Sequence, residues 1–168
     1  MIVNGQTLFE MAPIKDMESV KKTGHGVSYG MSEAGYDIRI KQDVQFRWLN
    51  KRKDLLVSVD GGENWENTKF TLASATEEFD MPSNLVGIVH DKSTWARRGL
   101  SVFNTVIEPS WKGFLTLELV YHGNEDLIIP AGSGIAQVVF HKTSDEAFYG
   151  GKYQGQEDRP VEARESIS

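Results

Sequence analysis

Short apolar runs separated by turn-forming residues occupy most of the chain, and many are divided by glycine, which occurs at 16 positions. Runs of this kind, bounded by Gly, Pro, Asn and Asp, are typical of a β-barrel or sandwich rather than a helical bundle. Asp60-Gly61-Gly62 and Pro130–Gly134 have the composition of turns. The pattern predicts strands over Tyr36–Ile40, Val44–Trp48, Leu55–Val59, Lys69–Leu72, Leu85–His90, Ser101–Phe103, Phe114–Tyr121, Leu127–Ile129 and Ile135–His141.

Two short helices are also expected. The first is a polar-faced segment over Ile14–Thr23, and the second covers Asp91–Arg98. Asp91 or Ser93 is suited to cap the start of the second helix, and Gly99 to follow its end. The chain is therefore expected to be mainly β with one or two short helices.

Composition limits the class of protein. The 168 residues carry a formal net charge of −6, which argues against non-specific binding to nucleic acid or to an anionic membrane. Cysteine is absent, so disulfides and the Cys-ligated zinc of the common cytidine deaminases are excluded. No long apolar run or signal-peptide pattern is present, so a cytoplasmic protein is expected. We expect one domain over 1–168, with 150–168 a polar tail that orders on a bound ligand.

The first segment with chemical potential follows the apolar run Leu85–Val89. A strand that leads into a helix start offers free backbone N–H groups, which suit an anion. Lys92 adds a point charge, Ser93 and Thr94 add hydroxyls, and Arg97 adds a two-pronged donor. From spacing alone, a solvated basic helical turn explains the same residues equally well.

The adjacent His90-Asp91 pair also occurs in some metal phosphohydrolases. The chain contains four His and no second cluster of that type. We therefore interpret His90 as an ordinary residue at the end of a strand, and we expect no metal ligands in the protein.

The second segment, residues 107–120, has the alternation of an amphipathic strand. Leu115, Leu117 and Leu119 share one face, and Glu118 lies on the other face, which is neither fully polar nor fully apolar. A partly desolvated carboxylate has a raised pKa, which suits proton transfer. The pattern alone favours the alternative, a surface glutamate.

The third segment, Tyr149–Gln156, combines glycines, amides, aromatic rings and one cation. Such a segment can fold over a ligand, with Lys152 on a phosphate and Gln156 donating hydrogen bonds. A polar tail with no such role is the alternative.

Together these segments resemble the dCTP deaminase family. Five blocks match that family's motifs in order, across about residues 26–156, and carry its Ser-[ST]-x-[AG]-Arg and Thr-Leu-Glu signatures. The blocks are Ser28–Arg39, Lys92–Leu100, Glu108–Glu118, Gly134–Phe140 and Gly151–Gln156.

The resemblance implies a distorted β-barrel or jelly roll of the trimeric dUTPase-like type, assembled as a homotrimer with active sites between subunits. It implies metal-free hydrolytic deamination of dCTP, with magnesium entering only with the triphosphate. Glu118 is implied as the proton-shuttling residue, with Ser93 and Arg97 positioning the water and the carboxylate. The remaining implied substrate-binding residues are Lys92, Thr94, Trp95, Ala96, Thr105, Val106, Glu108, Trp111, Thr116, Leu117, Gln137, Tyr149, Lys152 and Gln156.

This sequence departs from the family at Phe103-Asn104-Thr105-Val106, where close relatives have Asn-Val-Thr-Pro. The change is expected to alter either the base pocket or the interior of the trimer, so a C5-modified dCTP is an alternative substrate. Glu108 occupies the segment where a dUTPase needs an acid, which leaves a dUTPase or a bifunctional deaminase–diphosphatase as a second alternative. A non-catalytic nucleotide-binding regulator is the third.

Overall fold

The computed structural model describes residues 1–166, and β-strands dominate it. The elements in chain order are β1 Ile2–Val3, α1 Gly5–Met11, β2 Lys21–Gly24, β3 Val27–Met31, β4 Tyr36–Arg39, β5 Val44–Leu49, β6 Asp54–Val59, β7 Glu66–Asn67, β8 Phe70–Asp80, β9 Leu85–Asp91, α2 Ser93–Ala96, β10 Leu100–Val102, β11 Val106–Ile107, β12 Lys112–Tyr121, β13 Leu127–Ile129 and β14 Gly134–Lys142.

These strands form three antiparallel sheets. The largest has the order β11-β9-β14-β4-β3-β2, with β1 also paired to β14. The second has the order β10-β12-β8, and the third β13-β5-β6-β7. Within the described residues the ladders do not close into one continuous barrel, and the sheets are arranged as in a jelly roll.

One hydrophobic core joins the three sheets. Ile38 and Phe140 enter it from the first sheet, Leu117 from the second and Phe46 from the third, and each is almost fully buried. Removing these apolar side chains from water is the main favourable term in folding. The same packing fixes β12, and with it the direction in which Glu118 points.

The predicted strands are confirmed, and apart from β8 their ends differ by at most two residues. The predicted turns are also present: Gly61 and Gly62 lie between β6 and β7, and Gly132 lies between β13 and β14, all with positive φ. Strands β1, β2, β3, β7 and β11, and most of β8, were not expected from the pattern.

Strand β8 was missed beyond Leu72 because its buried positions include polar residues. Glu77 is 5% exposed and accepts hydrogen bonds from the backbone and guanidinium of Arg39. Ser74 exchanges hydrogen bonds with the Gln42 side chain. A buried polar group is tolerated when it is satisfied in this way, but its partner is remote in sequence.

The predicted helix over Ile14–Thr23 is wrong. Ile14 forms an isolated bridge with Phe79 of β8, Asp16 has a left-handed φ of 53° in a turn, and Lys21–Thr23 already belong to β2. A helix forms earlier instead, over Gly5–Met11, and ends at Ala12 with φ 48°. Neither helix within residues 1–166 is long and apolar enough to cross a membrane.

The second predicted helix exists but is shorter than expected. It covers Ser93–Ala96 with Lys92 at the N-cap position, so neither Asp91 nor Ser93 caps it. The Asp91 carboxylate instead accepts a hydrogen bond of 2.6 Å from the backbone N–H of Val102 in β10. Gly99 has φ 96° and closes the turn, where a Cβ would lie 2.7 Å from the Gly123 nitrogen.

Candidate active site

Glu118 lies in the middle of β12 and is half-buried. The alternation predicted for this strand is confirmed, because Leu115, Leu117 and Leu119 are buried while Glu118 faces away from the core. Within residues 1–166 no other side chain donates a hydrogen bond to its carboxylate or forms an ion pair with it. Burial raises the pKa of Glu118 above its ordinary value. A hydrogen bond from the backbone of Glu118 itself lowers the pKa, but by less. A carboxylate whose pKa is raised in this way is suited to accept a proton and return it.

The Glu118 carboxylate faces a pocket of about 830 Å³, large enough for a nucleotide. Among the described residues, the lining includes no Lys, Arg or His. The lining residues are Glu66, Phe70, Thr71, Leu72, Thr105, Val106, Trp111, Leu115, Thr116, Glu118, Tyr153, Gln156, Pro160, Val161, Glu162 and Ala163. The pocket therefore provides the carboxylates of Glu66, Glu118 and Glu162 together with several apolar side chains, but none of its described lining residues offers a positive charge for a phosphate.

The C-terminal tail forms one wall of this pocket. The Gln156 amide donates to the Phe114 carbonyl at 2.9 Å and to the Thr116 hydroxyl at 3.0 Å. The backbone N–H of Val161 donates to the same hydroxyl at 2.9 Å, and the Trp111 indole donates to the Tyr153 carbonyl at 2.7 Å. Residues 153–161 are thus held against β12 of their own chain.

Gly113 makes this close contact possible. Its φ is 139°, and a Cβ on it would lie 2.6 Å from the backbone nitrogen of Gln156. Of the predicted tail 150–168, residues 167 and 168 lie outside the described residues. The expectation that a nucleotide orders the tail stays a prediction.

The segment that contains α2 is held differently. Lys92 forms an ion pair of 2.6 Å with Asp37 and a hydrogen bond of 2.9 Å to Ser28, and the Lys92 and Asp37 side chains are only 12% and 5% exposed. Trp95 is 2% exposed, and its indole donates to the Gly134 carbonyl at 2.6 Å. These two side chains anchor the segment to the first sheet, which leaves only the backbone of Trp95 for a ligand.

Ser93, Ala96 and Arg97 project from this anchored segment and are exposed, while Thr94 is half-buried. Within residues 1–166, the Arg97 guanidinium has no hydrogen-bond acceptor and no ion-pair partner. Neither Ser93 nor Arg97 lines the pocket of Glu118. A single chain therefore does not bring the three predicted catalytic residues together.

The other predicted residues divide into two groups. Thr105, Val106, Trp111, Thr116 and Gln156 line the pocket with Glu118. Leu117 faces the core at 1% exposure, and Glu108 is exposed outside the pocket. Three more lie elsewhere with internal partners: Gln137 donates to Ser32, Tyr149 accepts from the Tyr153 N–H, and Lys152 donates to the Arg164 carbonyl.

Several pocket residues were not found from the sequence. Phe70 and Leu72 reach the pocket because β8 pairs with β12, with Leu72 directly opposite Glu118. Pro160, Val161 and Glu162 reach it because the tail returns to β12. Phe70 and Leu72 could have been predicted as pocket residues only if the whole of β8 had been recognised as a strand. No local sequence pattern predicts that the tail contacts β12. In residues 1–166, no group of three or more His, Asp or Glu side chains is arranged to hold a metal ion.

Comparison with known proteins identifies relatives of this arrangement. A family model described as dCTP deaminase-like matches residues 27–143. The chain is 39% identical over 145 residues to the dCTP deaminase of Nitrosospira multiformis, covering 77% of each chain. It is 35% identical over 150 residues to the dCTP deaminase of Helicobacter pylori strain Shi470, covering 77% of this chain and 78% of the relative.

Solved structures support the same fold. The native EIAV dUTPase matches with a TM-score of 0.51 at 15% identity, over 90% of this chain and 97% of that one. The 2′-deoxycytidine 5′-triphosphate deaminase from Agrobacterium tumefaciens matches with a TM-score of 0.56 at 15% identity, over 83% of this chain and 47% of that one. The dUTPase-like fold expected from the sequence is thereby confirmed, and the chain belongs to the dCTP deaminase-like family.

Proposed function

We propose that this protein is a dCTP deaminase, which hydrolyses the exocyclic amine of the cytosine ring in dCTP to give dUTP and ammonia. The observation that carries the proposal is the Glu118 carboxylate, half-buried in a pocket of nucleotide size with a pKa raised by burial. The relatives named dCTP deaminase support the same activity.

The reaction requires proton transfers that one carboxylate can perform. Glu118 accepts a proton from water as the water oxygen bonds to C4, and it delivers that proton to N3. The second proton of the water then passes through Glu118 to the amine. The C4–N bond breaks and ammonia leaves. No metal is required of the protein in this scheme, and magnesium accompanies the triphosphate as part of the substrate.

We further propose that a second copy of the chain completes the site, in a homotrimer. The pocket has no cation of its own among the described residues, whereas a triphosphate and a developing negative charge both need one. Arg97 and Ser93 are exposed on an anchored segment, and their side chains form no hydrogen bond or ion pair within residues 1–166. Inserted into a neighbour's pocket, Arg97 can orient Glu118 and stabilise the attacking water.

The remaining predicted residues receive roles of different kinds. Thr105 and Val106 offer backbone groups at the pocket wall, and Thr116 joins the wall to the tail. Ser93, Thr94 and Lys152 are proposed to contact phosphates. Lys92 is already neutralised by Asp37, so we assign it mainly to holding this phosphate-binding segment in place.

The activity is tested by incubating the protein with dCTP and magnesium and identifying the products. Ammonia with dUTP is the expected result. Pyrophosphate with dUMP instead indicates a bifunctional enzyme, although the exposed position of Glu108 outside the pocket favours deamination alone. Tight dCTP binding without ammonia release contradicts the proposal and supports a regulatory nucleotide-binding protein.

A further inference from the structure

Three large apolar side chains remain exposed around the pocket of Glu118. Phe70 is 41% exposed, Phe103 is 50% exposed and Val106 is 56% exposed. Phe70 and Val106 line the pocket directly. Exposed apolar groups that cluster beside a concave polar group mark a binding surface rather than ordinary scattered surface residues.

The strand register explains why these rings lie beside the carboxylate. Leu72 of β8 is opposite Glu118, and Phe70 is opposite Val120, so Phe70 and Glu118 project from the same face of the sheet. On the other side of β12, the backbone N–H of Phe103 donates to the Glu118 carbonyl at 3.0 Å. Phe103 therefore faces the same way, because directly paired residues share a face.

The two rings meet on this face. The centroids of Phe70 and Phe103 are 6.2 Å apart and the ring planes are inclined by 33°, a favourable aromatic pair geometry. Phe70 lines the pocket, and Phe103, which does not line it, packs its ring against that of Phe70. The result is an apolar wall, composed of Phe70, Phe103 and Val106, next to the proposed proton-shuttling residue.

The chemistry of cytosine determines what this wall contacts. A ring whose N3 and C4 atoms face Glu118 places C5, the atom next to C4, toward the adjoining wall. An apolar wall offers no hydrogen bond to a C5 substituent, but it gains contact area from a methyl group. One additional methyl-sized group in an apolar site changes specificity by about tenfold or more.

We infer that Phe70 packs against the C5 edge of the pyrimidine and that Phe103 positions the Phe70 ring, so that the site favours cytosine deoxynucleotides with an apolar C5 group over dCTP. This inference rests on the proposed function and specifies the substrate of the same site. It does not depend on which chain provides Arg97.

The experiment compares 5-methyl-dCTP with dCTP in the wild-type protein and in Phe70→Leu, Phe103→Ala and Phe148→Ala variants. Ammonia release is expected to give a kcat/KM about tenfold higher for the methylated nucleotide in the wild type. Phe70→Leu and Phe103→Ala should each bring this ratio toward one. Phe148→Ala should leave the ratio unchanged, because Phe148 is 76% exposed, does not line the pocket and, unlike Phe103, is not paired with Phe70.

A second readout separates this inference from the proposed function. Calorimetry with the Glu118→Gln variant measures the ratio of the two dissociation constants without turnover, and the same preference is expected. If no cytosine nucleotide releases ammonia but the binding preference is present, the proposed deaminase activity is overturned and the proposed contact with the C5 edge is supported. Ammonia release with equal ratios in all variants overturns the inference.

Light scattering provides the last control because the exposed rings of Phe70 and Phe103 could instead contact a second copy of the chain. It measures the mass of the assembly. Phe103→Ala is expected to keep the oligomeric mass of the wild type. A lower mass assigns the two rings to a subunit interface and overturns the specificity role.

Discussion

The pocket around Glu118 and the segment around α2 divide the chemistry of this protein between them. The pocket has Glu118, two further carboxylates, apolar side chains and a docked tail, but no described residue lining it is a cation. The α2 segment presents exposed Ser93 and Arg97, neither of which lines that pocket, and it is anchored through Lys92 and Trp95. Each region therefore holds one half of the residues that a complete site needs, and variants in each half should affect activity in different ways.

The largest effect is expected at Glu118 itself. Glu118→Gln keeps the shape of the side chain but removes its ability to carry a proton, so kcat for ammonia release should fall by about 10² to 10⁴-fold. The dissociation constant for dCTP, measured by calorimetry, should change little. Glu108→Gln is the matched control, because Glu108 is exposed outside the pocket, and it should retain activity. Equal loss in both variants contradicts the assignment.

The next effect tests whether the two halves belong to different chains. Arg97→Ala alone should lower kcat by about 10² to 10³-fold, because the charge that stabilises the attacking water is lost. When Arg97→Ala and Glu118→Gln chains are dissociated, mixed equally and reassembled, about a quarter of the sites in a closed ring should receive both intact residues. Ammonia release from the mixture measures this recovery.

A control mixture combines Glu118→Gln with the double variant Glu118→Gln/Arg97→Ala, which contains no intact Glu118 and should stay inactive. If the first mixture also stays inactive although it reassembles, the site is not shared between chains.

A smaller effect is expected at the tail. Gly113→Ala places a Cβ against the backbone of Gln156 at a positive φ, so the tail should detach and the stability should fall by more than about 1 kcal/mol. Faster proteolytic cleavage near residue 156 and a raised KM for dCTP should accompany the detachment. Gly150→Ala is the matched control, since a Cβ there meets nothing within 4 Å. A protected tail in the Gly113 variant contradicts the role given to this contact.

The smallest effect concerns pH and stability. Burial raises the pKa of Glu118, so proton acceptance, and with it kcat/KM, should decline as pH falls through a value above the usual carboxyl range. For folding the sign is opposite: the native state binds the proton more tightly than the unfolded state, so the ionised form weakens stability as pH rises. Glu118→Gln should therefore raise the free energy of unfolding at neutral pH by less than about 1 kcal/mol, given the partial exposure of Glu118, and Tm should rise with it. Near pH 4 the variant and the wild type should have similar Tm values, because Glu118 then carries its proton. A lower Tm of the variant at pH 7 contradicts this account.

The sequence predicted those parts of the fold that depend on local pattern. The leucine alternation identified the direction of Glu118, and the apolar runs located the central strands. The pattern failed where a distant partner decides the conformation. Glu77 in β8 is buried only because Arg39 is present, and Ile14 is extended because it pairs with Phe79.

The candidate site shows the same limit. Motif matching located Glu118, Thr116 and Gln156 in one pocket, but it treated Lys92 as a free cation. Its pairing with Asp37 joins residues 55 positions apart, and no local periodicity encodes that contact. The aromatic pair of Phe70 and Phe103 likewise depends on the register of two different strands with β12.

The lack of a cation in the pocket has a consequence for the enzyme in solution. In the proposed arrangement each chain folds around its own core but does not form a complete site alone, so catalysis follows the association equilibrium of the chains. Specific activity should then decline on dilution below the dissociation constant of the assembly, while the fold of each chain persists. The protein's concentration becomes a control on its turnover, separate from the concentration of its substrate.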